Sequence, residues 1–178
     1  MRNLYYYAKE CMNELDAINI PYGNVVEWEV NTRAKKRWGQ CNKKGTTYRI
    51  NINITLLDER NSVEGLKNTI IHELLHTVSG CMNHTENWQR VANIVNKAYN
   101  YKIQRTSSAD ELGLCEEVKQ QRIEEYKEKM ASKPEYHLKC KKCTYDYVCH
   151  RAGKWVNNYE RYFCPHCHSK LDLIKKGI

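Results

Sequence analysis

No apolar run in this 178-residue sequence approaches the ~18–20 residues that a bilayer crossing demands, and the mean hydropathy is −0.80. A membrane is therefore not expected among its partners. The opening stretch, MRNLYYYAKECMNELDAI, lacks the basic-then-apolar layout of a secretory signal. A cytoplasmic location is expected, with the nucleoid as an option. Internal repeats and low-complexity tracts are absent too, which leaves one ordinary domain, or one domain plus a small appendage. A disulfide frame is also missing. The nine cysteines are an odd number, and without an export signal they are expected to stay reduced. Two C-x-x-C pairs near the C-terminus favour metal ligation instead.

What is present is positive charge, unevenly spread. The formal net charge is +8. Residues 1–109 contribute +5, residues 110–132 contribute −3, and residues 133–178 contribute +6. A basic C-terminal piece points to a polyanionic partner, with nucleic acid first in line.

Periodicity places the elements. Leu4, Ala8, Cys11, Leu15 and Ile18 recur at helical spacing, and Pro21-Tyr22-Gly23 ends that helix. VVEWEV (25–30) reads as a strand and the basic stretch after it as a turn. TTYRININI (46–54) alternates so that Tyr48, Ile50, Ile52 and Ile54 share a face. Residues 62–79 read as a helix with Ser62 as N-cap and Gly80 just past its end. Another helix begins near Asn83 or Thr85, with Trp88, Val91, Ala92 and Val95 along its inner stripe. Residues 110–133 form a charged, helix-prone connector that ends at Pro134, so the expected domains are 1–109, 110–133 and 134–178.

IIHELLHTVSGCMNH (70–84) carries the chemistry. His72 and His76 are four residues apart, so on a helix their side chains lie on one face about 6 Å apart and can reach one zinc ion. Glu73 points slightly aside, where it can take a proton from a water that the metal activates. Ile70, Ile71, Leu74, Leu75 and Val78 bury the helix and keep the ligands rigid. A catalytic zinc usually takes three protein ligands and keeps one position open. After the reversal at Ser79-Gly80, His84 is the expected third ligand, with Glu86 as its rival. Tyr48, Tyr99 and Tyr101 are each candidates for stabilising the oxyanion.

KCKKC (139–143) and FCPHC (163–167) supply Cys140, Cys143, Cys164 and Cys167. Four thiolates in two such pairs suit a closed, tetrahedral, structural zinc. The expected cofactor is thus two zinc ions, one catalytic and one structural. Cys149, His150, His166 and His168 crowd the same region as substitutes. Around the knuckles stand Lys141, Lys142, Arg151, Lys154, Trp155 and Arg161. Cations for phosphates and flat rings for bases fit single-stranded DNA, whereas Phe163 is expected to pack against the knuckles. Trp38 in RWGQC is expected to pack at a strand end, beside the basic residues Arg33, Lys35, Lys36 and Arg37.

HELLH followed by NHTENW resembles the SprT-like family of zinc metallopeptidases, which includes the Spartan proteases. His84 and Trp88 match that family's H-x-x-x-W/F signature, although Thr85 stands where a glycine often follows the histidine. KKRWGQCNKKGTTYRININ is similar to the family's strand segment, and a zinc ribbon often follows in its members. The resemblance implies an α+β protein: a minimal zincin-like metalloprotease domain, with a small mixed sheet packed on helices, plus a zinc-ribbon module. It also implies an edge strand that binds extended substrate, for which TTYRININI is the candidate. A monomer that hydrolyses peptide bonds of DNA-associated or DNA-crosslinked proteins is the expected function. The rivals are a non-catalytic nucleic-acid-binding protein, or a dedicated peptidase with no DNA role.

Overall fold

The computed structural model describes residues 1–176 and divides the chain into two compact units, Met1–Gln120 and Gln121–Ile178. In the first, helix α1 (Leu4–Ala17) starts at Asn3, whose side chain accepts the backbone N–H of Tyr5 and Tyr6, and it buries Leu4, Ala8, Cys11 and Leu15. That is the stripe its spacing predicts. Strands β1 (Asn24–Asn31), β2 (Gly39–Lys44) and β3 (Thr47–Asn53) form a mixed sheet in the order β1-β3-β2. β1 runs parallel to β3, and β2 antiparallel.

This order corrects the sequence reading. TTYRININI supplies the central strand, and β2, expected to be a turn, is one edge, with β1 the other. Tyr48, Ile50 and Ile52 are buried as the alternation predicts, but Asn51 and Asn53 are buried too. Both edges of β3 are paired, and its second face is only partly covered: Asn51 and Asn53 are buried there while Arg49 is exposed. Alternation reports faces and says nothing of edges.

Helix α2 (Val63–Leu75) has its N-cap at Ser62, whose hydroxyl accepts the Glu64 N–H at 3.1 Å. Leu66, Ile70, Ile71, Leu74 and Leu75 are fully buried beneath the sheet's helices and strands. The helix stops four residues short of the expected end, because the chain turns tightly through Thr77 and Val78 to Gly80, which adopts φ +77°. Only a glycine enters that region without strain. α3 (Glu86–Tyr99) follows, and α4 (Glu116–Ala131) begins six residues later than the connector's first residue at 110.

The second unit holds β4 (Glu135–Cys140), β5 (Asp146–Cys149), the short helix α5 (Lys154–Asn157) and β6 (Leu171–Lys176). Its antiparallel sheet has the order β5-β4-β6. Leu138, Cys164 and Leu171 are the buried centre of its hydrophobic cluster, a small core for a module of this length. No helix among the described residues is long and apolar enough to cross a membrane.

Candidate metal centres

α2 and the turn after it bring three imidazoles to one point. His72 Nε2 lies 3.2 Å from His76 Nε2 and 2.9 Å from His84 Nε2. The other ring nitrogens of the first two point at backbone: His72 Nδ1 donates to the Gln104 carbonyl at 3.0 Å, and His76 Nδ1 to the Cys81 carbonyl at 2.9 Å. Those bonds place the ring proton on Nδ1 and leave each Nε2 lone pair aimed at the common point. Burial, then the adjacent His76 and His84 rings, hold the His72 imidazole down to about 3; burial also lowers His76 and His84. Three neutral nitrogens facing one another repel unless a cation stands between them. The donor set fits zinc. Glu86 stands outside this cluster.

The reversal at Gly80 has two results: it returns the Cys81 carbonyl to His76 and delivers His84 to the start of α3. Trp88, 1% exposed, lies four residues beyond His84 and packs under all three rings at centroid distances of 4.8, 5.7 and 4.7 Å. Its indole N–H is buried without a hydrogen-bond partner, a cost of about 1–3 kcal/mol. The ring is placed for packing rather than for bonding.

Glu73 enters the same cleft from the next position on α2. It is 6% exposed, and burial pushes its carboxyl up to about 8, against the pull of the Cys41 backbone N–H and of Arg37. Gly39 explains how the carboxylate fits. A Cβ there would stand 2.5 Å from Glu73 Oε1 and 2.7 Å from its Cγ. Gly39→Ala should therefore shift the carboxylate, with a loss in peptide-hydrolysis kcat/KM of about 10²-fold, the usual penalty for an ångström-scale misplacement. Zinc content should be unchanged, and activity within twofold of wild type would remove Gly39 from this role.

A segment that sequence reasoning missed, residues 103–107, also lines the cleft. Asn96 clamps Ile103 by accepting its N–H at 2.8 Å and donating to its carbonyl at 2.9 Å. The Ser107 carbonyl accepts the Trp38 indole N–H at 3.0 Å. Between these anchors Gln104 reaches His72. Trp38 is partly buried against the core, as expected. Tyr48, Tyr99 and Tyr101 do not line the cleft, and the last two donate their hydroxyls to Glu14 on α1. None of the three is placed to meet an oxyanion.

In the second unit Cys140 Sγ lies 3.3 Å from Cys167 Sγ, and Cys143 Sγ lies 3.5 Å from Cys164 Sγ. Backbone N–H groups of Lys142 and Cys143 donate to Cys140 Sγ, and that of His166 donates to Cys164 Sγ. The Ser169 side chain and N–H draw the Cys167 thiol down to about 6, while, against the pull of the Tyr145 backbone, burial and the thiols of Cys140, Cys164 and Cys167 push Cys143 up to about 12. Clustered sulfurs that collect N–H donors are suited to the thiolate form and hence to zinc. Cys149, His150, His166 and His168 stand outside the cluster.

The candidate nucleic-acid residues are dispersed over exposed positions. Lys141 and Lys142 sit in the first knuckle, Arg151 follows β5, Lys154 and Trp155 open α5, and Arg161 ends the next turn. Lys141 pairs with Asp172 at 3.0 Å. Trp155 is 56% exposed and stacks on Tyr162 at 4.2 Å. Phe163 departs from expectation: it is 52% exposed, with Lys170 Nζ 4.4 Å above its ring. The knuckles leave it no interior to fill.

A family model described as the SprT-like family matches residues 8–108, more than half of the chain. No curated protein matches it.

Proposed function

The chain belongs to the SprT-like family, and on that premise we propose that its metallopeptidase-like domain is a working zinc peptidase whose substrates are proteins bound or crosslinked to DNA. The observation that carries the peptidase reading is one cleft of about 520 Å³ lined by His72, His76, His84 and Glu73 together. His72, His76 and His84 would hold the ion, with Trp88 and the two backbone carbonyls fixing their orientation. Zinc bound there supplies Lewis acidity, which lowers the proton affinity of water and polarises a carbonyl. Glu73 takes the proton of the attacking water and returns it to the leaving amine. β2 lies along the cleft through Gly39, Gln40 and Cys41 with one edge unpaired in the sheet, so it is the strand to which an extended substrate would add.

Cys140, Cys143, Cys164 and Cys167 would hold a second, structural zinc. The DNA part of the reading is supported by the basic second unit and its exposed rings. Tyr145, Tyr147, Trp155 and Phe163 surround an apolar hollow of about 390 Å³ with Leu138, Pro165 and Leu171. Flat rings beside cations suit single-stranded DNA, and a substrate on DNA implies a cytoplasmic, nucleoid-associated site of action.

The test is cleavage of a DNA-binding protein by the zinc-loaded full chain, with and without single-stranded DNA. Cleavage that DNA accelerates is expected. Equal cleavage in both arms leaves a dedicated peptidase with no DNA role. No cleavage in either arm, with zinc bound, leaves a non-catalytic zinc protein.

A further inference from the structure

The cleft carries charge that the hydrolytic step does not use. Lys36, Arg37 and Arg105 line it, and the only carboxylate in its lining is Glu73. All three cations are exposed, and none forms an ion pair among the described residues. Elsewhere in this unit Arg49, Arg60, Lys67 and Lys119 are paired with acids and other exposed cations, such as Lys9 and Lys44, are not, so what distinguishes Lys36, Arg37 and Arg105 is their place in the lining of the cleft.

The backbone next to the two arginines is held by hydrogen bonds. The Arg37 carbonyl accepts from Asn53 Nδ2 at 2.9 Å, and Asn53 is 1% exposed. Arg105 follows directly on Gln104, whose carbonyl holds His72, and two residues on, Ser107 holds Trp38. Arg37 is near enough to Glu73, and Arg105 to His84, for each charge to be felt there. Two unpaired guanidiniums thus line the same cleft as Glu73 and His84.

We propose that Arg37 and Arg105 form an anionic subsite that selects peptides with an aspartate or glutamate side chain next to the scissile bond. The inference rests on the peptidase reading above and adds to it a substrate class. A planar guanidinium fits a carboxylate with two parallel N–H···O bonds, and a partly enclosed cleft strengthens such a bond over its value in open water. The gain is that of one charge-assisted hydrogen bond, about tenfold to a hundredfold in kcat/KM. An extended substrate added to β2 would project alternate side chains into the cleft that Arg37 and Arg105 line.

The experiment uses the zinc-loaded full chain and internally quenched peptides that differ only in the residues flanking one cleavable bond: Asp, Asn or Lys. The expected order of kcat/KM is Asp, then Asn, then Lys, with the Asp advantage falling as salt is raised. Arg37→Glu with Arg105→Glu should invert that order, and Arg37→Gln with Arg105→Gln should flatten it, both with zinc content unchanged. Equal wild-type rates on the three peptides overturn the subsite while leaving the peptidase reading intact. If no peptide is cleaved although zinc is bound, the peptidase reading fails and the subsite fails with it. A short single-stranded oligonucleotide provides the last arm. Competitive inhibition that the charge-reversed variant escapes, without any Asp preference, would make these cations a phosphate site and overturn the proposal.

Discussion

Glu73→Gln should lower peptide hydrolysis by a factor of about 10²–10⁴, the usual worth of a positioned general base, and leave zinc binding and the fold unchanged. The substitution preserves shape where shape matters. Glu73 is 6% exposed, and Gly39 is the only residue type whose side of the cleft leaves room for it. Glutamine has the same length, and its amide oxygen can still accept the Cys41 backbone N–H that bonds the carboxylate. What disappears is the capacity to take up a proton. The three imidazoles keep their carbonyl partners at Gln104 and Cys81, so metal affinity should hold. His84→Ala provides the contrast, because it removes a nitrogen 2.9 Å from His72 Nε2 and should lose the metal along with activity. Zinc content and kcat, measured on both variants, separate the two roles. Wild-type hydrolysis by Glu73→Gln would show that another group takes the proton.

The two clusters, His72 with His76 and His84 and the four cysteines, were legible in the sequence because side-chain type and spacing define them as groups. An i, i+4 pair of histidines on a buried helix has one geometric meaning, and two C-x-x-C pairs have nearly one. What holds the ligands was not legible. The carbonyls of Cys81 and Gln104 orient His76 and His72, yet a backbone oxygen exists at every residue and leaves no signature. The clamp of Asn96 on Ile103 belongs to the same class. Gly39 could have been found: a glycine between a tryptophan and a strand signals close approach, though not what approaches. β2 was hidden because GQCNKK needs no apolar face to pair with β3. An edge strand is held by its ladder, and a polar composition protects it from aggregation. Phe163 misled for the opposite reason. Its apolarity predicts an interior, and a unit centred on Leu138, Cys164 and Leu171 has too little of one.

The same shortage of core sets the expected outcome of removing the second metal. A unit with four buried apolar residues among those described, Leu138, Val156, Cys164 and Leu171, gains little from apolar burial, whereas a structural zinc in a module of this kind contributes about 10–16 kcal/mol at neutral pH. Cys143→Ser with Cys164→Ser takes one sulfur from each knuckle, and those two sulfurs are in contact at 3.5 Å. The full chain should bind about two zinc equivalents as wild type and about one as this variant, because the histidine site lies in the other unit. Hydrogen exchange should show β4, β5 and β6 losing protection while β1, β2 and β3 keep theirs, since each sheet packs on a core of its own, the first running from Leu4 to Val118 and the second centred on Leu138, Cys164 and Leu171. His72→Ala with His76→Ala should do the reverse, leaving one equivalent and a protected second sheet. Affinity for single-stranded DNA then reports what the second unit is for. Three or four phosphate contacts predict a log–log salt slope of about −2 to −3 in the wild type, which the cysteine variant should lose and the histidine variant retain. Trp155→Ala should weaken binding by about 1–3 kcal/mol if its exposed face stacks on a base. A cysteine variant that binds DNA with the wild-type salt slope would place the DNA contacts outside the ribbon, and a wild type with one zinc equivalent would overturn the two-site reading.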